Sequence, residues 1–187
     1  PRGGVDAYHL LPRHGKHAER VVVAQVRLGR ERKFREVGER LYAVRMDPGG
    51  IDVMHCTPAE FAAQLAAENH TLKRSLTNPQ LFSGIGNAYS DEILHRARMS
   101  PLTLTRSLDA EAAQRLLDAT RAVMSEWTQR LGEEAAKHAG WPKKVTAFHP
   151  QMAVHGRYGE PCPVCGSKVQ RIVHANNETN YCARCQT

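Results

Sequence analysis

Leu72-Lys73-Arg74-Ser75-Leu76-Thr77-Asn78-Pro79-Gln80-Leu81-Phe82-Ser83-Gly84-Ile85-Gly86-Asn87-Ala88-Tyr89-Ser90-Asp91-Glu92-Ile93-Leu94 is the stretch on which the fold turns. A short helix over Leu72 to Leu76 is expected to end near Asn78-Pro79, because proline cannot continue a helix and biases the residue before it toward extended backbone. A second helix is expected from Ala88 to Arg98, with Pro101 just beyond it. Between them, Gly84 and Gly86 flank Ile85 and permit backbone angles and close approaches that a side chain would forbid. Asn87 stands at the entry to the second helix, where free N–H groups and the helix dipole favour an anion such as a phosphate. An ordinary helix corner capped by Asn87 is the alternative. A dinucleotide-binding turn is excluded, since no strand precedes the motif and no third glycine follows it.

Working outward, the chain reads as mainly α. Thr57-Pro58-Ala59-Glu60 combines an N-cap, a proline at the first helical position and a glutamate able to close a capping box. Phe61, Leu65, Ala62 and Ala66 follow at helical spacing. The longest helix is expected from near Asp109 to about Lys137, with Leu116, Thr120, Val123, Trp127 and Leu131 as its apolar stripe. Met46-Asp-Pro-Gly-Gly50 reads as a turn, and Gly140-Trp-Pro142 closes the helical region before a basic linker with Lys143 and Lys144. Before the turn, Arg20-Val-Val-Val-Ala-Gln-Val-Arg27 has the β-branched content of a strand. The charge-dense run Arg27 to Arg40 is compatible with a solvated strand, a helix or a disordered arm.

The end of the chain has a different texture. Cys162-Pro-Val-Cys165 and Cys182-Ala-Arg-Cys185 are two C-x-x-C pairs separated by sixteen residues, 166 to 181. That spacing suits a four-thiolate zinc site closed by a short hairpin. Gly166 follows the first pair where a tight turn is needed. A closed four-cysteine site leaves no open position for water, so one structural Zn2+ is expected, without chemistry of its own. Val154, Val169, Ile172, Val173 and Tyr181 supply strand-like apolar positions. So small a unit has too little core to fold without metal.

The expected organisation is therefore a basic N-terminal segment over 1–45, a helical domain over 46–141, and a linker with a four-cysteine β-hairpin module over 142–187. The composition bounds the rest. The 187 residues carry a formal charge of +7 and a pI near 9.4, which makes a polyanion a plausible partner. No stretch approaches the length of a transmembrane helix, no signal peptide is recognisable, and thiolate zinc sites suit reducing compartments. A cytoplasmic or nucleoid-associated protein with no membrane contact is expected.

Together, the Leu72 to Leu94 stretch and the segment Met152-Ala-Val-His-Gly-Arg-Tyr-Gly-Glu-Pro-Cys162 to Cys185-Gln186 resemble the formamidopyrimidine-DNA glycosylase/endonuclease VIII family, in its helix–two-turn–helix and its zinc finger. The resemblance covers about residues 46 to 187. It implies DNA binding in the base-excision repair of oxidised bases, mainly through backbone phosphates. Asn87 and neighbouring N–H groups (Gly84, Gly86 and Tyr89 among the surrounding residues) would hold phosphate, with Lys73 close to the same backbone. Lys168, Arg171 and Asn177 are the finger's candidate contacts, Asn177 standing where the family commonly places an arginine.

The same resemblance implies an N-terminal β-sandwich whose first proline forms a Schiff base, followed by a glutamate for proton transfer. Here Pro1 is followed by Arg2, and too few residues precede Asp47 for a sandwich. The expectation is a DNA-binding protein with impaired or absent glycosylase activity. An active glycosylase and abasic-site lyase using Pro1 is the alternative. A zinc-finger adaptor for RNA or protein, motivated by the basic N-terminal segment, is the third reading.

Overall fold

The computed structural model describes residues 48–137, 148–174 and 177–187, together with two short strands, β1 (Tyr8–His9) and β2 (Ala24–Gln25), which pair antiparallel. β2 falls inside the stretch expected to be a strand. Pro1, the Arg27 to Arg40 charge run and the Gly140 to Lys144 linker lie outside the described residues.

Each helix begins and ends for a local reason. α1 (Pro58–Ala67) starts at Thr57, whose Oγ1 accepts from Glu60 N at 3.2 Å while Glu60 Oε2 accepts from Thr57 N at 2.7 Å. The Thr57 N–H and then its hydroxyl hold the Glu60 carboxyl below the usual carboxylate range. α2 (Leu72–Leu76) starts at Thr71, whose Oγ1 accepts from Arg74 N, and stops at Thr77, whose hydroxyl donates to Lys73 O at 2.9 Å. The chain then forms β4 (Phe82–Ser83), which lies parallel to β3 (Ile51–Asp52) with Ile51 opposite Phe82. α3 (Asn87–Ala97) ends at Arg98, which is in the left-handed region with φ 57°. Arg98 N then donates to His95 O and Met99 N to Leu94 O, satisfying carbonyls of the last turn. α4 (Ala110–Lys137) opens on Asp109, whose Oδ1 accepts from Ala112 N at 2.7 Å.

The core forms where these helices converge. Phe61, Leu72, Leu76, Phe82, Ile93, Leu94, Leu116 and Leu117 are fully buried, and the Phe61 and Phe82 rings meet with centroids 4.9 Å apart. Leu116, Thr120, Val123 and Trp127 of the expected α4 stripe are buried, with Leu131 half-buried at its end. Arg121 ties α4 to the loop after β3, donating to Val53 O at 3.0 Å and to Cys56 O.

The finger is a second, much smaller cluster. β5 (Gln170–His174) and β6 (Asn177–Tyr181) form its antiparallel hairpin, and among the described residues its buried apolar cluster is limited to Val154, Cys162, Val169 and Cys182. Ile172 is half-buried and Val173 exposed, so β5 turns only one of these two side chains inward, as strand alternation requires.

α3 differs from a surface helix. Ala88 to His95 and Ala97 are all buried, including Ser90, Asp91, Glu92 and His95. One face meets the helical core and the other meets the finger.

Replacing Phe61 by Ala deletes a fully buried ring and its contact with Phe82. Urea unfolding followed by far-UV circular dichroism should show a loss of about 3–5 kcal/mol. A loss below about 1 kcal/mol would contradict the packing described.

Candidate functional site

The loop before α3 puts its glycines to different uses. Gly84 has φ +83°, a conformation that penalises any side chain. Gly86 is the N-cap of α3 with φ −96°, which other residues adopt freely, but it supplies no side-chain oxygen to the first turn. Thr57 and Thr71 cap α1 and α2 with their hydroxyls, whereas the α3 N-terminus keeps its N–H groups uncapped by any side chain.

From that point, three residues one turn apart project from α3 toward the finger: Asn87, Asp91 and His95. Asn87 Nδ2 donates to the carbonyl of Glu178 in β6 at 2.9 Å. Asp91 has a side chain with 0% exposure and takes donors on both oxygens. Lys73 Nζ lies 2.5 Å from Oδ1, while His155 Nδ1 at 2.7 Å and Asn180 N at 3.0 Å meet Oδ2. The same ammonium donates to Asn87 O and to Ser90 Oγ, each at 2.8 Å. Burial pushes the Lys73 pKa down from its ordinary value, and the Asp91 charge opposes that shift. His95 Nε2 lies 3.3 Å from Cys162 Sγ.

Glu92 completes the joint. Its Oε2 accepts from Ala153 N at 2.7 Å, and its Oε1 accepts from Val154 N at 2.9 Å and His155 N at 3.0 Å. Three consecutive backbone N–H groups thus close on one buried carboxylate, a concave anion site that holds the approach to the finger against α3. On the far side, Gln186 accepts from Cys182 N at 2.7 Å and donates to Met99 O at 3.0 Å, linking the second cysteine knuckle to the end of α3.

The cysteines satisfy the geometry of a four-thiolate centre. Their four sulfurs all lie within 4.8 Å of one another, with Cys162 to Cys185 at 3.9 Å and Cys165 to Cys182 at 3.4 Å. Zn–S bonds of about 2.3 Å in a tetrahedron require sulfur separations of about 3.8 Å. A disulfide would need about 2.05 Å, so the cysteines are not bonded in pairs. Gly166, at φ +74°, makes the first knuckle turn, and its N–H donates to Cys162 O at 2.9 Å. The thiols differ in acidity. The Ser167 hydroxyl and then its N–H hold Cys165 down to about 6, while burial and then its cysteine neighbours push Cys185 up to about 12. Four sulfurs this close carry charge together only around a cation, which is what a structural zinc provides. These residues hold one zinc ion, and with all four ligands from protein the metal shapes the finger and offers no site for a reacting molecule.

The remaining residues singled out in the sequence occupy distinct places. Asn87 is half-buried at the joint. Lys73 lies beneath it, 13% exposed, with its ammonium engaged inside the protein. Tyr89 is buried in the core, edge-on to Trp127 with centroids 5.8 Å apart. Lys168, Arg171 and Asn177 are exposed on the finger. Arg171 lies 4.4 Å from the Tyr158 ring centroid and 3.4 Å from Glu178 Oε2, so its guanidinium is oriented along the hairpin. Asp91, Glu92, His95, His155 and Gln186 did not emerge from the sequence as site residues. For Asp91 and His95 the signal available was their i, i+4, i+8 spacing with Asn87 along one face of α3.

Residues 51–134 match the formamidopyrimidine-DNA glycosylase H2TH domain, and residues 159–187 match the zinc finger found in FPG and IleRS. The chain is 35% identical over 139 residues to an uncharacterized formamidopyrimidine-DNA glycosylase-like protein of Mycobacterium tuberculosis, covering 74% of this chain and 84% of the relative. It is 36% identical over 148 residues to a formamidopyrimidine-DNA glycosylase of Thermus thermophilus, covering 76% of this chain and 54% of that one. The crystal structure of the MutM (Fpg) protein from Thermus thermophilus superposes with a TM-score of 0.57 at 33% identity, over 73% of this chain and 53% of that chain. Lactococcus lactis Fpg, in complex with DNA containing an abasic site, shares the fold with a TM-score of 0.59 at 24% identity, over 79% of this chain and 55% of that one. The chain thus spans most of the mycobacterial relative and about half the length of the Thermus and Lactococcus proteins.

The joint predicts the cost of breaking it. Lys73→Met leaves Asp91 buried with one cation fewer, and loss of a buried partner costs about 3–5 kcal/mol. Because His155 remains beside Asp91, a loss near the lower end, about 3 kcal/mol, is expected from urea unfolding at neutral pH. An unchanged midpoint would show that Lys73 is not part of the joint.

Proposed function

Because the chain belongs to the formamidopyrimidine-DNA glycosylase family, represented here by its helix–two-turn–helix and zinc-finger portion, we propose that residues 48–187 grip duplex DNA by its phosphates as part of a base-excision repair protein. The observation that carries this reading is the Asn87 to Glu178 hydrogen bond, which joins the uncapped N-terminus of α3 to the hairpin of the finger. A primary amide has two N–H groups, and the second one of Asn87 has no partner among the described residues. With the N–H groups of the first turn, it forms a donor set suited to a phosphate oxygen. Lys73 adds positive charge beneath the same turn, tempered by Asp91. Lys168, Arg171 and Asn177 offer donors on the finger, and contacts of this kind position a protein on DNA without reading sequence. Four thiolates around zinc and a net charge of +7 suit a protein that works on nucleic acid in the reducing cytoplasm.

This reading separates holding from cutting. The matched portions, residues 51–134 and 159–187, are the helix–two-turn–helix and the finger; we assign the gripping step to them and expect no lyase step from them.

Two measurements test the proposal. Asn87→Ala should weaken binding to a duplex containing an abasic-site analogue by about tenfold, which is about 1.4 kcal/mol, in a titration by fluorescence anisotropy. Affinity of the parent chain should also fall steeply with salt, with a log–log slope near −0.9 for each phosphate neutralised. Unchanged affinity in the variant, or tighter binding to RNA than to duplex DNA, would contradict the phosphate grip. Separately, borohydride added to the chain with abasic-site DNA should give no covalent adduct under conditions in which an active family member gives one. An adduct abolished by changing Pro1 would establish the lyase step instead.

A further inference from the structure

α3 touches the metal site itself, as well as the backbone around it. His95 is 7% exposed and Cys162 3%, so water does not compete for the 3.3 Å contact between Nε2 and Sγ. A zinc-bound cysteine is a thiolate, with lone pairs and no proton. The hydrogen in this contact must therefore come from the imidazole, which fixes its proton on Nε2. Contacts such as Gly166 N to Cys162 O and Gln186 N to Cys182 O are made within the finger. His95 comes from outside it, from the same helix face as Asn87 and Asp91.

We infer that His95 is a positioning residue of the zinc centre, donating Nε2–H to the Cys162 thiolate and so slowing loss of metal from the finger. The hydrogen bond draws charge from the sulfur, and departure of that ligand would break this bond as well as the metal bond. It also fixes the direction of the sulfur toward the ion. Groups that hydrogen-bond to metal ligands commonly change metal affinity by about 10–100-fold when removed. The finger's grip on zinc thereby depends on a residue more than sixty positions earlier in the chain. This inference rests on the zinc centre and is independent of whether the chain binds DNA.

The test uses the full chain loaded with zinc and three variants: His95→Phe and His95→Met, which lack the donor but differ in shape, and His95→Gln, whose Nε2 can replace it. Zinc transfer to a chromophoric chelator should be about 10–100-fold faster in the Phe and Met variants and close to the parent in the Gln variant. Circular dichroism of the loaded proteins identifies any variant that fails to fold, and the remaining donor-free variant then decides. Cobalt(II) substitution supplies a readout that packing alone would not move. The sulfur-to-cobalt charge-transfer band should shift to longer wavelength without the donor and stay in place with Gln. A folded Phe or Met variant with parental release and an unmoved band would overturn the inference. So would a Gln variant that loses zinc as fast as either of them.

Discussion

One buried carboxylate joins the two parts of this molecule. Asp91 is withdrawn from water, and a charge in that position is costly unless both carboxylate oxygens have donors. Lys73 from α2, His155 from the approach to the finger and the Asn180 N–H from β6 engage them. Three segments distant in sequence are thus required to meet at one side chain. Glu92, the next residue, gathers three further N–H groups from 153–155. An apolar contact of similar size would tolerate sliding, whereas directed bonds to two fixed carboxylates specify a single docking geometry. α3 can therefore serve two masters: an apolar face for the helical core and a polar face for the finger.

That arrangement answers a difficulty posed by the finger's size. An apolar cluster of four buried residues does not hold a hairpin at a defined distance from a helix. Zinc closes the knuckles, and α3 supplies the orientation through Asn87, Asp91, Glu92 and His95. Recognition of a phosphate backbone depends on the spacing of donors, and in the proposed grip the joint between the start of α3 and β6 sets that spacing.

The features legible in the sequence were those decided by neighbours in the chain. The Thr57–Glu60 capping box, the stop at Thr77 to Pro79, the α4 stripe and the two cysteine knuckles all depend on residues within a few positions, and the structure has them. The joint could not be read in that way. Asp91 and Glu92 look like the solvated side of a helix until segments 60 to 90 positions later cover them. Lys73 illustrates the same limit: the sequence places it near the loop, but not with its ammonium directed inward to Asn87 O, Ser90 and Asp91. Tyr89 could face either way until Trp127 packs beside it, and Gly86, with φ −96°, is not held to glycine by its backbone angles.

If α3 makes finger and helices into one body, they should come apart together. Zinc release and loss of far-UV helical ellipticity, followed in a single thermal melt of the loaded protein, measure this directly. The account predicts coincident transitions with one midpoint, as a cooperative unit requires. Release of zinc well below the temperature at which the helices melt would contradict it, showing a finger that hangs from the helical domain without being held by it.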